Sequence, residues 1–420
     1  MRYVIVGNSF AAVFAIEALR RVDQSGEIVV ISAEEEHVYS RAMIPEWLAG
    51  LVDDRFLYLR EPDFYERMGV TPLLGQRVTG LEAAQKRVLL GQRTIEYDKL
   101  LLTVGGIPFI PPGIEGWGEF EDVFTFTSLA EAKALRRAAE KAEQAVVLGA
   151  GLIGLQCAEA LAHLGKKVTV VELANTVLPL ALDELAAALI QRELEAEGLR
   201  IFTEDTIVSL QGIHGRLESV TLRSGRRVPC QLLVIAVGVR PNVEFLRSSG
   251  LLIDRGIIVN HHLETNLPEV YAAGDCAQGP EIISGQNLVL PLIPVASTQG
   301  LMAGYNLAGE KREFRGGLSL NAFQFGGLQV ISYGFIRDEE GAEVLRRVEE
   351  GKRIYKKVIL KDGRITGAIF VRAIDRAGLF RYLIEHKIEV REFKEHLLDD
   401  DFGIAHWPRE ERMQLFTSPP

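Results

Sequence analysis

The residues best suited to chemistry lie in the stretch "VVLGAGLIGLQCAEALAHLGKKVTVVEL". Gly149, Gly151 and Gly154 follow directly on an apolar run, and their spacing suits an anion. The first glycine allows a tight turn, the second lets the backbone approach a pyrophosphate, and the third permits close contact between helix and strand. Leu152 and Ile153 open the helix that follows, whose start offers unpaired N–H groups to a phosphate. About twenty residues on, Glu172 ends the next apolar run and is placed to accept hydrogen bonds from both ribose hydroxyls of an adenosine. A 2′-phosphate would be repelled there. No Arg or Lys follows closely in "ELANTVLP", so NADH is expected in preference to NADPH.

A second turn of the same kind opens the chain, in "RYVIVGNSFAAVFAIEALRRVD". Gly7 occupies the tight-turn position, Ser9 is small enough for near approach, and Ala12 is an accepted third residue. Phe10 and Ala11 begin the helix. At the end of the following strand, "SAEEEH" offers Glu34 as the ribose acid, with Glu35 as its rival and a solvated acidic loop as the plainer reading. The chain therefore carries two nucleotide turns.

These turns need strands and helices in alternation, and the chain supplies them. Short Val/Ile/Leu runs alternate with helical patterns, the arrangement of parallel strands joined by crossover helices. A strand "RYVIVG", a helix from Ser9 to about Val22 and a strand "EIVVIS" make one such unit, and the Gly149 stretch makes another. From about Glu310 the texture changes. "LSLNAFQFGGLQVISYGFI" and "YKKVILKDGRITGAIFV" alternate like antiparallel strands, with "KDGR" as a hairpin turn.

With 420 residues and 47% hydrophobic residues, the chain is long enough for two or three domains with their own cores. No apolar window approaches a membrane span, and Met1 leads straight into a strand without a leader pattern, so a cytoplasmic protein is expected. The net charge of −10, with bases scattered among acids, gives no nucleic-acid footprint. Cys157, Cys230 and Cys276 are far apart and form no CxxC pair, which leaves no zinc or iron-sulfur pattern and suggests ordinary buried thiols. His261 and His262 are adjacent; on a strand they would point to opposite faces and could not share a metal.

Three further stretches complete an ordered set: "DKLLLTVGGIPFIPPG" with Thr103 and Gly105, "CQLLVIAVGVRPN" with Gly238, and "TNLPEVYAAGDCAQG" with Gly274 and Asp275. The set resembles the pyridine nucleotide-disulfide oxidoreductase superfamily, and covers most of the chain in the family order. The resemblance implies an α/β fold with two Rossmann-like dinucleotide-binding domains, one for FAD and one for NAD, plus a small α+β C-terminal domain. It divides the chain into an FAD domain of residues 1–112 and 240–310, an inserted NAD domain of 113–239, and a C-terminal interface domain of 311–420. It also implies that Asp275 lies beside the flavin ribityl chain with Cys276 nearby. The helix in "PVASTQGLMAGYNLAG", with Ala296, would point its N-terminus at the flavin, where the dipole favours the anionic reduced form.

One absence narrows the reaction. No cysteine occurs before Cys157, so the redox thiol that many members use next to the flavin is missing. The corresponding segment, "YSRAMIPEWLAG", is instead similar to the branch of rubredoxin reductases, ferredoxin reductases and nitrite reductase flavin domains, which places Arg41 at the FAD pyrophosphate. Two positions depart from that branch. Glu46 stands roughly where some ferredoxin reductases have a lysine, and Gln156 replaces a glutamate near the nicotinamide, where its amide can still bond the carboxamide.

The expected activity is transfer of electrons from NADH through FAD to an external redox protein or a partner subunit, in a homo-oligomer or a hetero-complex. No side chain is singled out as an acid, base or nucleophile. An NADH oxidase using oxygen and a non-catalytic flavin-binding subunit are the rival readings. In the C-terminal tail, Phe402, Trp407, Met413 and Phe416 are costly to leave wet, and either dock a partner or pack on their own domain.

Overall fold

A computed structural model describes residues 1–417, with side chains through Met413. Apolar runs, buried on both faces in the central strands and half-exposed in the edge strands 70–73, 123–125 and 200–202, form two five-stranded parallel sheets, as expected where crossover helices cover each face. In the first, strand 270–272 is followed in order by 99–102, 2–6, 27–31 and 70–73, all parallel. In the second the order is 200–202, 167–171, 144–148, 232–235 and 123–125, again parallel throughout. Strand 270–272 thus returns to the first sheet after the second is complete. The outgoing and returning connections, Gly106–Pro108 and Val239–Pro241, pair with each other as an antiparallel ribbon.

The first sheet owes its tight cover to glycines on one face of the helix Ile293–Leu307. A Cβ on Gly300 would lie 2.2 Å from Ala11 O, and one on Gly304 would lie 2.3 Å from Ala15 O. Small residues four apart on both helices therefore let this helix lie directly on Phe10–Val22. Ser9 is the N-cap of that helix rather than its first residue.

The C-terminal sheet is antiparallel, in the order 320–325, 328–334, 364–371, 354–361 and 343–349. Its "KDGR" turn has Asp362 and Gly363 both at positive φ, 52° and 75°, as a two-residue type I′ hairpin requires. The helix Ala377–Glu385 covers one face of this sheet. Its other face joins the core of the second sheet, where Phe325, Val330, Tyr355 and Val371 cluster with Ala186, Ile190 and Leu194.

Two expectations change here. His261 and His262 lie in a turn, not a strand, and both rings reach the same neighbouring segment: His261 Nδ1 is 3.0 Å from Phe314 O, and His262 Nδ1 is 3.1 Å from Arg312 O. In the tail, Phe402 and Trp407 are 0% and 2% exposed and pack on their own domain against Phe380 and Tyr382. Met413 is exposed, and the Phe416 side chain lies outside the described residues. No described helix is long and apolar enough to cross a membrane.

Candidate dinucleotide sites

Both glycine turns are built in the same way from strand register. The first strand ends at Gly7, whose N–H donates to Ile31 O at 2.8 Å; the equivalent N–H of Gly149 donates to Val171 O at 2.7 Å. Each glycine has a φ beyond 100°, +117° for Gly7 and +108° for Gly149, which side-chain-bearing residues rarely adopt. Each is also crowded from the other neighbouring strand. A Cβ on Gly7 would sit 2.0 Å from Thr103 O, and one on Gly149 would sit 2.4 Å from Ala236 O. Thr103 is part of this brace, since its hydroxyl donates to Val6 O at 3.0 Å.

The later positions of the second turn separate two duties. Gly154 serves the fold, because a Cβ there would be 2.0 Å from Gly149 O. Gly151 serves open space: a Cβ on it meets nothing within 4 Å. Glu172 closes the turn from below, its carboxylate accepting from Ala150 N at 2.7 Å and Ala174 N at 2.8 Å. A carboxylate has about four acceptor positions, so two remain for hydroxyl groups. Ile153, Leu173, Leu180 and Val237 are exposed apolar residues around this edge of the sheet, while Leu152 and Gln156 are half-buried.

At the first turn, Ser9 makes no side-chain capping bond, so its hydroxyl is not used by the helix it precedes. Ala11 packs beneath Gly274, which in turn lies against Ala296. Phe10 is partly buried on the core. Gly105 and Gly238, both at positive φ, border open space. Buried Gln299, which sequence reasoning missed, accepts from Gly274 N at 2.8 Å and so fixes the backbone next to Asp275. Its only signal was a polar residue in the middle of an apolar helix. Burial pushes the Asp275 carboxyl above the usual range, and the nearby Arg41 guanidinium opposes that rise.

Arg41 ties the first turn's surroundings together. Its guanidinium bonds Glu34 and the Thr127 carbonyl, and lies 5.2 Å from the Tyr39 ring centre. The Tyr39 hydroxyl donates to Glu34 and accepts from Leu129 N. Glu34 is thereby held beside the turn, whereas Glu35 is exposed next to Gly75. Burial raises the pKa of all three cysteines, to about 12 for Cys230 and Cys276, so none is a thiolate near neutral pH.

The helix starts at these sites are compatible with phosphates. Helices Leu129–Ala139 and Glu184–Ala196 are capped by their own side chains, through Ser128 with Glu131 and through Asp183. The helices beginning at Phe10, Leu152 and Ile293 have neither a side-chain cap nor an acid in the first turn; Ala377–Glu385 shares this, but it follows no glycine turn. Their free N–H groups and positive dipole ends suit an external anion.

The fold and these paired turns define a two-site dinucleotide-binding α/β protein. Residues 1–300 match the family model described as pyridine nucleotide-disulphide oxidoreductase, and residues 320–388 match the rubredoxin NAD+ reductase C-terminal domain. The chain belongs to the pyridine nucleotide-disulphide oxidoreductase family. It is 32% identical over 390 residues to the assimilatory nitrate reductase electron transfer subunit of Bacillus subtilis (strain 168), covering 92% of this chain but 49% of that protein. The chain thus spans about half the length of that relative. It is 31% identical to the NADH-dependent phenylglyoxylate dehydrogenase subunit epsilon of Aromatoleum evansii, with 96% of each chain covered. Among solved structures, the covalent putidaredoxin reductase–putidaredoxin complex shares the fold, with a TM-score of 0.83 at 24% identity over 91% of this chain and 92% of that one.

Proposed function

We propose that the chain is an FAD-dependent oxidoreductase that takes electrons from NADH and passes them to an external redox protein or partner subunit. The observation that carries this reading is the pair of uncapped glycine turns on separate parallel sheets, with no exposed thiol to take the electrons onward. Residues 1–112 and 240–310 form the proposed FAD domain, 113–239 the NADH domain and 311–420 the partner-facing domain. FAD supplies hydride acceptance and electron release, chemistry that no side chain here provides.

The protein's own part is to bind and orient. The N–H groups after Gly7 and the Ser9 hydroxyl would hold the FAD pyrophosphate, with Phe10 and Ala11 at the helix start. Glu34 would take the ribose, and Arg41 supplies positive charge beside them. Thr103, Gly105, Gly238, Gly274, Asp275 and Ala296 would line the flavin end. Gly149, Gly151, Leu152, Ile153 and Gly154 would hold the NADH pyrophosphate, Glu172 its ribose and Gln156 its carboxamide.

A protein acceptor is favoured over oxygen by the two relatives named above, although an NADH oxidase of Methanocaldococcus jannaschii is 29% identical over 93% of each chain. The Aromatoleum evansii protein, matched along nearly its whole length, is by name a subunit of an NADH-dependent dehydrogenase, and the Bacillus subtilis one is an electron transfer subunit. We place the protein in the cytoplasm, where NADH is supplied. The test is NADH turnover with and without small iron-sulfur carriers. Carrier reduction well above the rate of oxygen consumption supports the proposal; fast aerobic turnover that carriers do not increase makes it an oxidase.

A further inference from the structure

The Gly149 turn is braced from behind by a segment whose far end is seated in the C-terminal sheet. In this segment, residues 177–183, Leu178 adopts a left-handed backbone at φ +52°, which is costly for a leucine and persists only if its surroundings hold it. Its N–H donates to Ala150 O, inside the nucleotide turn, at 2.8 Å, and Leu182 N donates back to Leu178 O at 3.0 Å. Val177, Leu178 and Leu182 are buried, while Leu180 between them is 87% exposed. The segment is therefore a strap pinned at the turn and carrying one apolar side chain into solvent.

Its other end is Asp183, the N-cap of Glu184–Ala196. One carboxylate oxygen accepts from Ala186 N at 3.1 Å; the other accepts from the Tyr355 hydroxyl at 2.6 Å and from Lys357 Nζ at 3.0 Å. Lys357 is 1% exposed, and its three N–H donors have three acceptors: Asp183, Asp338 at 2.8 Å and Ile336 O at 2.7 Å. Arg353 adds an ion pair to Glu193 on the same helix. Tyr355 and Lys357, two apart on the strand Ile354–Lys361, share the face turned to the nucleotide sheet. Lys356 between them faces the other way, onto Asp400 at 2.7 Å and Leu398 O at 3.0 Å. A buried ammonium that loses its partners is strongly unfavourable, so this seat has one preferred geometry.

We propose that Lys357 is a positioning residue for NADH: through Asp183 it holds the strap 177–183 against Ala150, so that nucleotide affinity depends on how the C-terminal sheet is seated. The inference rests on the Gly149 turn being the NADH site. A partner that shifts the C-terminal sheet would, by the same contacts, change NADH affinity.

The test is NAD+ calorimetry on the flavin-loaded protein, comparing wild type, Lys357→Met and Lys356→Met, with the FAD-to-protein ratio and amide hydrogen exchange at Leu178 followed alongside. Lys357→Met should weaken NAD+ about tenfold and speed exchange at Leu178, with FAD retained. Lys356→Met, at another buried lysine of the same strand, should change affinity less than about twofold. Wild-type affinity in Lys357→Met, or equal weakening in both variants, overturns the inference. If Lys357→Met does not fold, Tyr355→Phe removes one donor to the same Asp183 oxygen and should give a smaller rise in the dissociation constant; no rise overturns it. Failure of the wild type itself to bind NAD+ instead removes the nucleotide assignment.

Discussion

Gly151→Ala separates a residue that the ligand needs from one that the fold needs. Gly151 sits at φ −73° and ψ 178°, a conformation alanine adopts freely, and the added Cβ meets nothing within 4 Å. Alanine is the poorer N-cap by about 0.5–1 kcal/mol. Its stiffer unfolded chain offsets this by about 0.4–1 kcal/mol. Stability should therefore stay within about 0.5 kcal/mol, a melting shift of at most about 2 °C. The ligand meets the methyl directly. Holding the pyrophosphate off the helix N–H groups removes at least one charge-assisted hydrogen bond, about 1.5–3 kcal/mol. That is roughly a tenfold to hundredfold rise in the NAD+ dissociation constant. Gly154→Ala should behave differently. Its Cβ would stand 2.0 Å from Gly149 O, so helix and turn must part, at about 1–3 kcal/mol of overpacking cost. Calorimetric NAD+ titration beside a thermal melt, with FAD content as the control for folding, reads both quantities. Gly151→Ala with unchanged NAD+ affinity would refute the reasoning, because the open space would then belong to no ligand.

Other expectations follow from the same contacts. Glu172→Gln places an amide N–H against either Ala150 N or Ala174 N and gives up a charge that repels a 2′-phosphate, so steady-state kinetics should show the NADH-over-NADPH preference fall about tenfold. Cys157→Ala, Cys230→Ala and Cys276→Ala should all keep NADH turnover, and a thiol reagent at neutral pH should label none of the three in the native protein. The Asp23 carboxyl is held down at about 2 by the N–H groups of Ser25 and Gly26 and by the Tyr3 hydroxyl. A depressed carboxylate stabilises the fold above its ordinary pKa near 4 and loses that contribution as pH falls toward the folded value. In urea denaturation the gap between wild type and Asp23→Ala should thus be constant from pH 7 to about 5 and close between about pH 4 and 2; a gap that persists unchanged at the acid end contradicts this.

What the sequence disclosed was chiefly what local chemistry dictates. The turns at Gly7 and Gly149 and the Asp362–Gly363 hairpin each depend on backbone conformations that few residues other than glycine or aspartate tolerate, so their letters carry their geometry. The C-terminal tail was legible only as a pair of choices, because Phe402 and Trp407 look alike whether they face a partner or Phe380 and Tyr382. The adjacent histidines misled for a different reason: Asn260 just before them builds a local turn, its side-chain oxygen accepting from His262 N at 2.8 Å and Glu264 N at 3.0 Å, and the apolar residues on either side hide that signal. Least legible was the seat of Lys357. It pairs with Asp183 across 174 residues, and each looks like an ordinary charged surface residue within its own stretch of sequence. The resemblance places Arg41 at a phosphate, but its bonds to Glu34 and Thr127, which join the first turn to the loop between strand 123–125 of the second sheet and helix Leu129–Ala139, needed the fold to be seen.

The central claim is that FAD in this chain is reduced by NADH and that electrons then leave to another protein. Its most direct test is the absorbance spectrum of the FAD-loaded protein under argon during stepwise addition of NADH and, separately, NADPH. The account predicts bleaching of the flavin bands by about one equivalent of NADH, much weaker bleaching by NADPH, and recovery of colour when an oxidised iron-sulfur carrier is added. A bound flavin whose spectrum NADH leaves unchanged would contradict it.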